Sequence, residues 1–228
     1  GFSGVWDVLS GDNNFFLAFT DSTRPANPEL LVEDLGSRFE IMLTNMKKFC
    51  TGFPIQSAME ALLIAVDEHG FKAEEVEKIV ARLPVSGAHT VNDREMPDIN
   101  LQYLFACALL DGEVTFDAAH DVERMTEASV MDLRKRITVV GEPEFGEGNY
   151  QSIVEITLKD GKEISQMAKS FRGKADNPMS TDEVEKKARD LIEPSFGAAQ
   201  TNELIETVRD LEKVANARDL RRLLAHSG

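Results

Sequence analysis

A chain of 228 residues, 42% hydrophobic and 29% charged, has ordinary globular composition and is long enough for one large or two small domains. Its 40 acidic and 25 basic side chains leave a formal net charge of −15, a field that argues against nucleic acid and acidic membranes as partners. An anionic substrate must therefore be held by a local basic pocket working against that field.

Cys50 and Cys107 are far apart, and His69, His89, His120 and His226 are scattered without close pairs, so the sequence predicts neither a zinc nor an iron–sulfur site. Scarce cysteine suits a reducing, cytoplasmic setting. No apolar run approaches the ~20 residues of a membrane span, and no signal peptide is visible. The chain opens on Gly1 rather than methionine, which implies that something precedes it.

In chain order, Gly1 to Asp21 carries Trp6 and Phe15-Phe16-Leu17-Ala18-Phe19. That is a greasy load which so short a segment cannot cover by itself. Thr20 to Asn27 reads as a linker around Pro25, Pro28 to Leu35 as a weak helix, and Phe39, Ile41 and Leu43 alternate as an extended entry. Met46-Lys47-Lys48-Phe49-Cys50-Thr51-Gly52-Phe53 then forms a loop with two adjacent cations. Pro54 opens a helix whose apolar stripe is Ile55, Ala58, Met59, Leu62 and Val66, with Gly70 as its stop. Lysines beside a helix N-terminus can seat a carboxylate or phosphate, or they can be plain solvated loop lysines.

Glu77 to Pro84 reads as a strand, Val85 to Pro97 as irregular, Asn100 to Leu110 as a buried helix closed by Asp111-Gly112, and Val122 to Leu133 as an amphipathic stretch. Ile137 to Val140 and the two arms around Asp160-Gly161 complete a sheet covered by the helix after Pro54. A three-residue loop, Lys159 to Gly161, sets Ile156 opposite Ile164. Ser180-Thr181-Asp182-Glu183 is a capping box that opens a helix to Ile192, and helical stretches from Asn202 to Val214 and Arg218 to Ala225 follow. The fold class is α+β: a small mixed sheet with packed helices, flanked by helical segments.

Taken in order, Gly1-Phe2-Ser3-Gly4, the Lys47 loop, Leu101-Gln102-Tyr103 with Ala108-Leu109-Leu110-Asp111-Gly112, the Asp160-Gly161 hairpin and Asn177-Pro178-Met179-Ser180 resemble the MmgE/PrpD family. Its members include 2-methylcitrate dehydratases, decarboxylases and epimerases. The resemblance covers essentially the whole chain and implies the C-terminal half of a protein about twice as long. It divides this chain into residues 1–41 (end of an N-terminal helical domain), 42–175 (an α+β lid) and 176–228 (the helical return). It implies a metal-independent, cofactor-free lyase or isomerase acting on small di- or tricarboxylates by proton abstraction beside a carboxylate. The other half would come from a missing N-terminal portion or a partner chain, and the assembly would be a homo-oligomer, a dimer. The other class of function is a non-catalytic lid subunit that needs such a partner.

Lys47 falls at that family's catalytic-loop lysine, where an ammonium binds a carboxylate and steadies enolate-like charge. Gln56 and Ile99 stand where dehydratase-type members carry histidines, and glutamine cannot shuttle a proton near neutral pH. Arg94 is a candidate clamp for a second carboxylate and His89 a candidate proton carrier, against the plainer reading of both as solvated loop residues. Asp98 and Tyr103 bracket the buried helix, where Tyr103 reads either as substrate-facing or as core.

Overall fold

The computed structural model describes all residues except 2, 5–6, 12–13, 21–25, 147–149 and 226–228. Trp6, most of the proposed linker and His226 therefore lie outside the described residues. The chain divides into two compact units, Gly1–Leu43 and Thr44–Gly228.

In the first unit no described residue is buried. Asn14 caps the single helical turn α1 (Phe15–Phe19) by accepting from the Leu17 N–H. The weak helix expected from Pro28 is a 3-10 turn, Pro28–Leu31, followed by turns that run through Gly36 to Ser37. The extended entry expected around Ile41 is instead a 3-10 turn, Glu40–Leu43. Alternation over five residues is too short to enforce a strand when no sheet edge receives it.

The second unit holds the core. Helix α2 (Ile55–His69) starts just after Pro54 and ends at Gly70, whose φ of 65° is the left-handed C-cap that the sequence anticipated. Strand β1 (Val76–Leu83) follows. Then comes α3 (Val85–Val91), a helix where the sequence suggested irregular chain. Its Gly87 and Thr90 are poor helix formers, but Ala88 and Val91 gain burial, which outweighs propensity. Helix α4 (Leu101–Asp111) is buried from Leu101 through Ala108, capped by Asn100 at one end and by left-handed Gly112 at the other. The short α5 (Phe116–His120) had no clear sequence signal. The stretch read from Val122 to Leu133 resolves into a 3-10 turn and α6 (Ala128–Arg134).

Strands β2 (Ile137–Gly141), β3 (Ser152–Leu158) and β4 (Glu163–Ala168) join β1 in one sheet of order β2-β1-β3-β4. The β1–β2 pair is parallel and the other two are antiparallel. Ile156 faces Ile164, and Gly161 has φ 87°, so the three-residue hairpin loop and its register are as expected. A bulge between Val76 and Lys78 lets Val76 and Ile79, three positions apart, both turn inward. One face of the sheet, with Ile79, Ala81, Leu83, Val154, Ile156 and Ile164, is covered by α2. A buried hydrogen bond of 2.7 Å between the Ser57 and Ser152 hydroxyls ties helix to sheet.

The last helix, α7 (Thr181–Arg209), opens with the expected capping box but runs past Ile192. Pro194 and a non-helical Gly197 (φ 76°) divide it, and Thr201, fully buried, donates its hydroxyl to the Gly197 carbonyl. The break leaves a helix on each side of Gly197, in keeping with the two separate helical stretches read from the sequence. A 3-10 helix, Ala217–Leu223, ends the described chain, its Leu223 buried like Leu204 and Ile205 of α7. The α+β class is borne out.

Candidate functional site

The lysine loop runs from Met46 to Pro54, and its shape is imposed by residues remote in sequence. Gln56, fully buried on the first turn of α2, accepts from the Phe49 N–H (3.2 Å) and donates to the Phe49 carbonyl (3.0 Å) and the Thr51 hydroxyl (3.0 Å). One amide thus satisfies both backbone groups of a buried residue, a role a histidine ring could not fill with the same geometry. The Gly52 N–H donates to the Asp98 carbonyl at 2.7 Å. A Cβ on Gly52 would stand 3.0 Å from the Ile99 side chain, so a glycine is what lets the loop lie against Asp98 and Ile99.

At the loop's start the Met46 N–H donates to the Gly173 carbonyl at 2.7 Å. A Cβ on Gly173 (φ 104°) would fall 1.8 Å from the Met46 carbonyl oxygen, so only glycine permits this crossing. Phe53 completes the seat, its ring edge-to-face with Phe171 and Tyr150 at 5.1 and 4.7 Å.

Within this frame the two lysines separate. Lys48 is half-buried and stands 3.9 Å from both Glu60 and Glu183. It belongs to a network in which Arg172 grips Glu183 through two nitrogens at 3.0 and 2.7 Å and Asn177 at 3.0 Å. The Arg172 hydrogen bonds hold the Glu183 carboxyl down to about 2, assisted by the backbone N–H of Ser180. Lys47 is exposed, and its ammonium donates to the Thr51 carbonyl at 3.0 Å. Among the described residues no carboxylate lies within ion-pair distance of it.

The structure adds Lys187, which the sequence analysis did not single out. From the second turn of α7 its ammonium donates to the Lys47 carbonyl, and among the described residues it too lacks a carboxylate partner. Beside Lys187 opens a cleft lined by Lys48, Met179 and Lys187 together with the acids Glu113, Glu183 and Asp190, and Lys47 is not part of its lining. The signal for Lys187 was weak. It follows Glu183 by one helical turn, but 140 residues separate it from the loop it meets.

The other candidates are placed apart from this pair. Arg94 donates to the Thr90 (2.8 Å) and His89 (3.0 Å) carbonyls, closing the C-terminal end of α3. Arg94 and His89 are both exposed, and neither bonds to the lysine loop among the described residues. Asp98 meets the loop through its backbone. Tyr103 is fully buried, its hydroxyl donating to the Ala118 carbonyl at 2.5 Å, and burial pushes its phenol well above the usual range. Cys107 beside it is raised for the same reason, so neither is poised to ionise. Gln56 faces the loop's interior. Among the described residues no cluster of His, Cys, Asp and Glu has a metal-holding arrangement, and no helix is long and apolar enough to cross a membrane.

Residues 49–213 match the sequence profile of the MmgE/PrpD C-terminal domain. The mouse cis-aconitate decarboxylase is 27% identical over 177 residues, which are 74% of this chain and 35% of that protein. The human cis-aconitate decarboxylase is 26% identical over 159 residues, 65% of this chain and 32% of the relative. The chain thus spans about a third of the length of these curated relatives. It belongs to the MmgE/PrpD family.

Proposed function

We propose that this member of the MmgE/PrpD family supplies the carboxylate-holding part of a lyase or isomerase acting on a small di- or tricarboxylate, with the rest of the active site contributed by an N-terminal half or a partner chain. The observation that carries it is the meeting of Lys187 with the Lys47 loop: the Lys187 ammonium donates to the Lys47 backbone carbonyl, the Lys47 ammonium donates to the Thr51 carbonyl, and neither has a carboxylate ion-pair partner among the described residues, in a chain of net charge −15. Lys47 binds one substrate carboxylate and steadies the enolate-like charge that builds as the neighbouring carbon loses its proton. Lys187 orients Lys47 through its backbone and adds positive potential for a second carboxylate. The proton acceptor comes from the other part of the assembly, since Gln56 cannot serve and is committed to the loop. The reaction is proposed as cofactor-free and cytoplasmic, with decarboxylation, the activity named for the mouse and human relatives, as one outcome beside dehydration and epimerisation.

The test is turnover of citrate-like acids by the complete assembly carrying Lys47→Ala, Lys47→Arg, Lys187→Ala or Lys48→Ala. A lost charge-assisted contact is worth ~1.5–3 kcal/mol, so Lys47→Ala should lower kcat/KM by ~10–150-fold or more. Lys47→Arg should fail as well, because a planar fork does not replace a compact ammonium. Lys187→Ala should fall between, and Lys48→Ala should be mild. Equal losses at Lys47 and Lys48, or none at either, return Lys47 to the solvated surface.

A further inference from the structure

We infer that Thr51 and Gln56 are positioning residues for Lys47, a buried hold that aims its ammonium before a substrate arrives. The inference rests on the reading of Lys47 as the carboxylate-binding group and adds what sets its direction. Thr51 is engaged from two sides. Its backbone carbonyl accepts from the exposed Lys47 ammonium at 3.0 Å, and its hydroxyl accepts from the Gln56 amide at 3.0 Å. Thr51 is 3% exposed and Gln56 is inaccessible, so the bond between them is shielded from water. Gln56 is itself fixed by Phe49, accepting from its N–H at 3.2 Å and donating to its carbonyl at 3.0 Å. A flipped amide would set N–H against N–H at Phe49, so the orientation that serves Thr51 is the one the backbone dictates.

Such a hold matters because lysine has among the largest rotamer freedom of any side chain. An ammonium already resting on the Thr51 carbonyl loses less freedom when a carboxylate binds. It has three N–H donors, of which the carbonyl takes one. The two that remain match the two oxygens of a single carboxylate. The Lys187 ammonium fixes the other end of the residue at the Lys47 carbonyl, so backbone and side chain are both restrained. Lys48 is drawn instead toward Glu60 and Glu183, each 3.9 Å away.

The separating substitution is Thr51→Val. It is close in shape, deletes the hydroxyl and leaves both Gln56 bonds to Phe49, so the loop keeps its clasp while Thr51 loses its anchor. On the whole chain, trace acylation with acetic anhydride, read by peptide mass, should label Lys47 about two- to tenfold faster in Thr51→Val. Lys48 should label as in wild type. Thr51→Ser keeps the hydroxyl and should restore the slow rate at Lys47, whereas Gln56→Met, which also removes the clasp, should label faster still. In the complete assembly, with citrate as the probe tricarboxylate in calorimetry, Thr51→Val should weaken binding by a similar factor. It should add no further loss when Lys47 is already alanine. Unchanged labelling of Lys47 in Thr51→Val, or additive losses in citrate binding, overturn the inference. Citrate binding that Lys47→Ala leaves intact overturns the carboxylate reading and with it the purpose of the hold, and the labelling tells which of the two has failed.

Discussion

The chain contains two stretches of similar greasiness that meet opposite fates. In Thr44–Gly228 the apolar side chains close on one another: Ile55, Met59, Leu62, Ile79, Leu104 and Ile156 are essentially inaccessible. In Gly1–Leu43, Phe19, Leu35, Ile41 and Met42 are each more than 70% exposed. The difference is one of periodicity and partners rather than of hydrophobic content. The second unit's apolar residues recur at helical or strand spacing over elements long enough to face one another. Among its described residues the first unit has a five-residue helix and two four-residue 3-10 turns, none able to bury a face. Apolar surface alone does not make a core.

The strongest way to break this comparison is truncation on both sides. Leu104→Ala should destabilise the second unit by ~2–5 kcal/mol in urea unfolding, through lost burial and the cavity left behind. Leu35→Ala should stay within ~0.5 kcal/mol. Matching costs would mean that the first unit is packed in solution after all.

A finer cut compares apolar with polar support inside the second unit. Gln56→Ala strands the buried N–H and carbonyl of Phe49, so a loss of ~2–3 kcal/mol is expected, with faster proteolysis confined to residues 46–53. Proteolysis unchanged from wild type would show that the loop stands without its clasp.

The smallest effect is acid-dependent. Arg172 depresses the Glu183 carboxyl to about 2, below its ordinary value in the unfolded chain. The native state therefore binds that proton less readily than the unfolded chain. The stability this contributes is present above the ordinary carboxylate range and is lost as pH falls toward 2. The Tm gap between wild type and Glu183→Gln should be constant at neutral pH and shrink below about pH 4.5. A gap that persists at pH 2 would assign the contribution to capping rather than charge.

The sheet, its hairpin register and the two glycine-stopped helices were legible because each rests on local chemistry: alternation at Val154, Ile156 and Leu158, a left-handed Gly161, and left-handed Gly70 and Gly112. Helix α3 was hidden because tertiary burial of Ala88 and Val91 overrides a composition that reads as loop. The site was half legible. Lys47 stood out beside Lys48, but nothing local distinguishes an ammonium hemmed by Glu60 and Glu183 from one that is not. Lys187 was invisible because its relation to the loop exists only in three dimensions.

The Met46–Gly173 crossing has a consequence for folding order. The loop is closed by Asp98, Gly173 and Lys187, positions some fifty to one hundred and forty residues further along the chain. Closing such wide loops costs entropy that local contacts cannot return, so these pairings belong to the last stages of folding. During synthesis Lys47 and Lys48 leave the ribosome well before the residues that shape their loop, and the loop is completed only once α7 has emerged. Completion of the lysine loop thus reports completion of the fold.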